Sequence, residues 1–223
     1  MLSKKDSFDT MPSMRKTKEQ AQKTKETILM AALDCFSKKG YFNTSLDDIA
    51  RSASVTRGAV YWHFKNKPEI FDALHDSLHQ PFIQMITQDL EKSDDHPLKQ
   101  LEHLVIFMLK NLESNQTKKR TLRLFYQCDY SGDLLQFKQK HQDKKISSLE
   151  LLSYYFERAQ KKGQLTEEAN PDILTLTLHC FLRGILYEYL IGSDLISMEN
   201  HAHLLVTQLF KGLNTSQSLT NKK

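Results

Sequence analysis

The stretch TRGAVYWHFKNKPEI, Thr56 to Ile70, places Arg57, Gly58, Tyr61, Trp62 and His63 within eight residues. A glycine inside a helix costs about 1 kcal/mol relative to alanine, and aromatic rings are ordinarily interior material. Val60 and Phe64 stand at i, i+4 and can bury one side of a short helix. Arg57 and Tyr61 share that spacing on the other side. The side that a core does not require is therefore the side rich in donors and rings. Thr56 is a natural N-cap for this helix, expected over Arg57–Phe64, and Asn66 with Pro68 opens the next one, through Ile70, Phe71 and Leu74.

The residues just upstream complete a motif. In NTSLDDIA, Ser45 precedes Asp48 by three positions, close to a capping box, and Asp47 with Asp48 suits the positive end of a helix dipole. Leu46, Ile49 and Ala50 form the buried face of this short helix, which the link SASV joins to Thr56. Two short helices in tandem, the second bearing exposed donors, predict a helix-turn-helix. A longer helix before it, about Lys18 to Lys39, carries Ile28, Ala32, Cys35 and Phe36 at helical spacing and stops at Gly40.

Charge follows the same division. The chain is 223 residues long with net charge +4, but residues 1–67 carry +6 and the remainder −2. A basic end on a mildly acidic body suits a polyanionic partner. Arg57 can pair with guanine, Tyr61 and His63 can reach phosphate or base edges, and Gly58 lets the helix approach a duplex closely. Ser45, Thr56 and Lys67 lie at helix starts, where amide groups favour phosphate.

The remainder reads as all-α. With only 7 Gly and 5 Pro, turns are sparse. Helices are expected around Leu98–Leu112, apolar on every side in its middle and hence buried, then at about Lys118–Tyr130 and Gly132–Lys162. Two more are expected from Pro171, capped by Asn170, to Ile191, and at Met198–Leu213, for about nine in total. The expected division is a disordered leader (1–14), a helix-turn-helix domain (15–66), a ligand-binding and dimerisation domain (67–213) and a flexible tail (214–223). No apolar run approaches the roughly 18 residues of a membrane span, and the N-terminus lacks a signal-peptide centre. Cys35, Cys128 and Cys180 read as buried free thiols of a reducing cytoplasm.

Catalytic and metal chemistry find little support. No nucleophile elbow, phosphate-cradling glycine loop or HExxH occurs. His75 and His79 at i, i+4, and His201 with His203, lack a third ligand, so no metal and no cofactor are expected.

Residues 24–74, and within them AALDCFSKKGY, TSLDDIA and VTRGAVYWHFKNK, closely resemble the DNA-binding domain of the TetR family of bacterial repressors. RTLRLFYQCDYSGDLL (120–135) and the helix after it resemble the AcrR-type branch, which represses multidrug efflux pumps and binds apolar, often cationic or aromatic, compounds. The resemblance implies a cytoplasmic homodimer on a palindromic double-stranded operator, released by a small apolar or aromatic effector. Ser45, Thr56, Arg57, Gly58, Tyr61, Trp62, His63 and Lys67 should then face DNA. His79, His103, Phe107, Phe125, Cys128, His141, Phe156 and His179 are the candidate effector liners. The dimer should form through the last two helices, at Leu178, Phe181, Gly184, Ile185, Leu205, Val206, Leu209 and Phe210. The alternatives are a family member controlling a metabolic or stress gene, or a helical carrier or enzyme whose basic third is only a solvated face.

Overall fold

Local signals set the helix boundaries in the N-terminal third. The computed structural model describes residues 11–92, 94–192 and 195–219, with side chains described for 17–213 within those ranges. Ser45 caps α2 (Leu46–Ser52). Its hydroxyl accepts from the Asp48 amide at 3.1 Å, while the Asp48 carboxylate accepts from the Ser45 amide at 3.0 Å, so the capping box closes. The same bonds, with Lys39 at 3.0 Å, hold the Asp48 carboxyl far below the usual carboxylate range. Thr56 caps α3 (Arg57–His63) by accepting from the Ala59 amide. Asn66 accepts from the Glu69 amide and Glu69 accepts from the Lys65 amide, at the start of α4 (Lys67–Leu90).

The turn between α2 and α3 is a Schellman motif. Val55 N–H donates to Ala50 C=O and Ser54 N–H to Arg51 C=O, with Ser54 at φ +55 where glycine is usual. The first helix, α1 (Met11–Lys39), starts seven residues before the expected Lys18 and stops at Gly40, φ +78. Of the expected leader, residues 1–10 lie outside the described residues and 11–14 belong to α1.

The chain divides into two compact units, residues 1–74 and 75–223, so the boundary falls eight residues after the expected Asn66. In the first unit α1 packs on α2 and α3, and α2 on α3. Its core holds Ile28, Leu33, Phe36, Ile49, Val60, Ile70 and Phe71, all essentially inaccessible. Phe36, Tyr41 and Phe71 form a ring cluster with centroids 5.2–6.4 Å apart.

The second unit contains the rest of α4, then α5 (Pro97–Ser114), α6 (Gln116–Tyr126), a single 3-10 turn (Gly132–Leu134), α7 (Leu135–Lys161), α8 (Pro171–Ile191) and α9 (Met198–Leu219). The described residues thus contain nine α-helices. α5 packs on α9, α7 and α6, while α8 packs on α7 and α6. Leu101, Tyr155, Phe156, Leu178, Met198 and Val206 fill the middle. Tyr155, wholly buried, donates its hydroxyl to Asp89 at 2.8 Å, and burial pushes its pKa up.

Four expectations change. α5 is not buried all round, because Phe107 is 57% exposed and His103 is also at the surface. The run expected as Lys118–Tyr130 ends at Tyr126, since Asn115 supplies an earlier cap and residues 127–131 are non-helical. α9 continues to Leu219 through most of the expected tail, and residues 220–223 lie outside the described residues. Of the three thiols only Cys35 is buried: Cys128 is half-buried, and Cys180 lies on the exposed face of α8.

Candidate nucleic-acid interface and ring cluster

In the first unit, α2 and α3 together orient one arginine. Arg57 Nη1 donates to Asp47 Oδ2 at 3.3 Å, and Nη2 donates to Tyr61 Oη at 3.2 Å. The side chain is nevertheless 60% exposed, and Tyr61 is 45% exposed. A guanidinium fixed by two surface partners keeps its fork aimed while its edge stays open, which suits bidentate recognition of a base. Trp62 is 73% exposed and packs edge-on against His63 at 4.5 Å. Burial and the nearby Lys25 lower the His63 pKa.

Gly58 has no internal reason to be glycine. A Cβ there would meet only Thr56 Oγ1, at an ordinary 3.8 Å. Ser45 and Thr56 are exposed caps at adjacent helix starts. Lys67 is placed differently from the expectation of a free phosphate ligand. Its ammonium donates to the Tyr41 and Phe42 carbonyls at 2.9 and 3.5 Å and lies 4.3 Å over the Tyr41 ring. It ties α4 to the turn after α1, because the carbonyls beyond Gly40 need a donor.

The second unit holds a stack of rings that the sequence only half revealed. His75 of α4 and His141 of α7 stack face to face at 3.6 Å, with planes 8° apart. Phe125 of α6 meets His75 edge-on at 5.1 Å, and His79 continues the stack at 6.0 Å. Tyr130 Oη lies 2.7 Å from His141 Nδ1, and Phe137 tilts against His141 at 6.1 Å. His79 Nε2 sits 3.1 Å from both the Lys144 carbonyl and Ser148 Oγ, and Lys144 pairs with Asp76. Burial, with His141 and Lys144 nearby, pushes the His75 pKa down to about 3.

Of the eight expected liners, His79, Phe125 and His141 come together. Phe156 is a fully buried core residue. His103 and Phe107 are exposed on α5, and His179 is half-buried on α8 with its pKa lowered by burial. The Cys128 thiol is pushed up to about 11 by burial and Asp129, which disfavours the thiolate that redox sensing uses. His75, Tyr130, Phe137 and Lys144 join this cluster without having been among the expected residues, although His75/His79 and Phe137/His141 are two i, i+4 pairs visible in the sequence. No group of three His, Cys, Asp or Glu able to hold a metal occurs among the described residues. No helix among them is long and apolar enough to cross a membrane.

The expected dimer residues divide in two. Leu178, Ile185, Val206 and Phe210 are buried within the second unit itself, because the more apolar stripe of each helix serves its own core. Phe181, Gly184 and Leu205 line a cleft with Cys180, Ile196 and others, to which the buried Ile185 also contributes, while Leu209 is half-buried. Among the described residues, the large apolar side chains that α8 and α9 leave at the surface are Ile173, Leu176, Tyr187, Ile191 and Leu204, each at least half exposed.

Comparison with known proteins agrees with this arrangement in both units. Residues 28–74 match the bacterial regulatory proteins of the tetR family, and residues 96–215, more than half the chain, match the C-terminal region of MAATS-type transcriptional repressors. The chain belongs to the TetR family. This TetR-family chain is 30% identical over 186 residues to the HTH-type transcriptional regulator TtgR of Pseudomonas putida, covering 83% of this chain and 89% of that protein. Its fold matches NalD, the secondary repressor of the MexAB-OprM multidrug efflux pump in Pseudomonas aeruginosa, with TM-score 0.76 and 31% identity over 87% of this chain and 98% of NalD. It also matches a complex of SmeT with triclosan, with TM-score 0.75 and 30% identity over 85% of this chain and 90% of SmeT. SmeT is the repressor of a Stenotrophomonas maltophilia efflux pump, SmeDEF. Like these TetR-family relatives, the chain is a DNA-binding transcriptional regulator and not an enzyme.

Proposed function

We propose that the chain represses a multidrug efflux operon as a homodimer and is released from a palindromic operator by a small apolar or aromatic compound. The reading is carried by the outward face of α3, where Arg57 and Tyr61 are held in place yet left open. Each protomer lays α3 in a major groove, and the two half-sites lie about one helical turn apart. Ser45 and Thr56 bring helix starts to phosphates, Gly58 allows close approach, and Trp62 and His63 flank the bases. The two copies meet on the surface of α8 and α9, around Gly184 and Leu205.

The effector enters the second unit at the ring stack of His75, His79, Phe125 and His141. Planar aromatic molecules match such a stack in shape, and triclosan, which the related SmeT binds, is a reasonable first probe. The compound acts through α4, whose residues contribute to both units, and only by its difference in affinity between the two states, typically worth about 1–3 kcal/mol.

The test is fluorescence anisotropy with a labelled duplex from the protein's own upstream region, beside a scrambled duplex, with and without triclosan. Salt-sensitive, sequence-preferring binding that triclosan weakens is expected. Sequence-blind, salt-insensitive binding would overturn the operator reading, and binding indifferent to triclosan would rule out triclosan as an effector.

A further inference from the structure

Every ring of the cluster in the second unit is carried by a helix except one. His75 and His79 belong to α4, Phe125 to α6, and Phe137 and His141 to α7, whereas Tyr130 lies in the non-helical stretch 127–131 between α6 and the 3-10 turn. Its hydroxyl is 2.7 Å from His141 Nδ1, and its ring meets the His141 ring edge-on at 5.5 Å, with planes 84° apart. His141 is only 6% exposed, so the hydroxyl meets a side chain that water barely reaches. Two neighbouring nitrogens lack such a partner. His75 Nδ1 and His79 Nδ1 are buried with no hydrogen bond among the described residues, and the Asp76 carboxylate stands 4.0 Å from the first. Buried polar atoms are ordinarily bonded, so the cluster is short of polar partners.

A flat molecule cannot slip between the rings as they stand. His75 and His141 are in face contact at 3.6 Å, whereas a ring inserted between two others needs them about 7 Å apart, two carbon contact distances. An effector at the stack must therefore displace something, and Tyr130 alone can withdraw with its backbone without unwinding a helix. We propose that Tyr130 holds the place of the effector, and that the effector is a phenol. The bound molecule puts its hydroxyl where the Tyr130 hydroxyl now lies and keeps the hydrogen bond to His141, while Tyr130 moves out with residues 127–131. An aromatic molecule without a hydroxyl would leave His141 Nδ1 buried and short of a partner, as His75 and His79 already are, which costs affinity. The inference deepens the effector reading above and rests on it. It names the class of compound that the stack selects and makes Tyr130 a competitor, whose bond to His141 raises the effector concentration needed for release.

The experiment titrates the full chain with triclosan, with 2-naphthol and with the methyl ether of each, by calorimetry, in the wild type, Tyr130→Phe and Tyr155→Phe. Tyr130→Phe keeps the ring and removes only the bond that the ligand has to break. A hydrogen bond of ordinary net strength corresponds to about fivefold in affinity, so both phenols are expected to bind this variant about fivefold more tightly. They should also release the upstream duplex from it at correspondingly lower concentration. Tyr155→Phe removes another buried hydroxyl of the second unit, the one on Asp89, and is expected to bind as the wild type does. Each phenol should bind more tightly than its own ether throughout. Weaker or unchanged binding to Tyr130→Phe, or a gain shared by Tyr155→Phe, shows that Tyr130 lines or braces the stack, and overturns the proposal while leaving the effector reading intact. Ethers bound as tightly as their phenols overturn the choice of class. If neither phenol binds any of the three proteins, the stack is not an aromatic-effector site, and the inference falls together with that reading.

Discussion

On the proposed reading, sequence preference rests on Arg57, and its geometry supports that role. Asp47 and Tyr61 hold the guanidinium at 3.3 and 3.2 Å, so little side-chain freedom remains to be lost when a base edge is met. Arg57→Ala is expected to weaken binding to the upstream duplex by roughly ten- to a hundredfold while barely changing binding to a scrambled one. Equal losses on both in an anisotropy titration would show that Arg57 meets only phosphate. Lys67 is expected to behave otherwise. With its ammonium spent on the Tyr41 and Phe42 carbonyls, Lys67→Ala should lower folding stability by about 1–2 kcal/mol. An unchanged thermal midpoint together with a salt slope reduced by one would return Lys67 to the phosphate role.

At the scale of the element, what could be read from the sequence was what neighbouring residues decide. Ser45 with Asp48, Thr56 with Ala59, and Gly40 after two lysines are signals within four residues of one another, and each appears in the structure where expected. The ring stack is assembled instead from α4, α6, the segment after it and α7, with His75 and His141 66 positions apart. No local pattern encodes that approach, and only the i, i+4 pairs hint at it. The Leu178–Ile185 stripe misled for a related reason, since periodicity marks a buried face without saying which molecule buries it. The stack also gives α4 and α7 a dependence on acidity. The folded His75 pKa of about 3 lies below its ordinary 6.5, so between those values the unfolded chain takes up a proton that the folded chain refuses. Stability is therefore complete above pH 6.5 and declines as pH falls toward 3. The urea midpoint should drop between about pH 7.5 and about pH 5, and by less in His75→Phe. Parallel declines in the two proteins would place the titrating group elsewhere.

For the whole molecule, the proposed palindromic operator calls for two reading helices, and hence two copies. The exposed surface of α8 is the candidate seam, and a side chain at Gly184 would project into open space, so the protomer itself has room for one. Gly184→Glu should thus fold normally, yet halve the mass measured by light scattering at micromolar concentration and lose operator affinity with it. A variant that stays dimeric would move the seam off α8. The three thiols differ in a way that makes this assembly measurable in the unmodified protein. Cys35 is shut inside the first unit, Cys128 resists ionisation, and Cys180 lies open on α8 one turn from Gly184. A maleimide dye should therefore mark one position first, and the rate of that reaction across a dilution series becomes a clock for how often the two copies come apart.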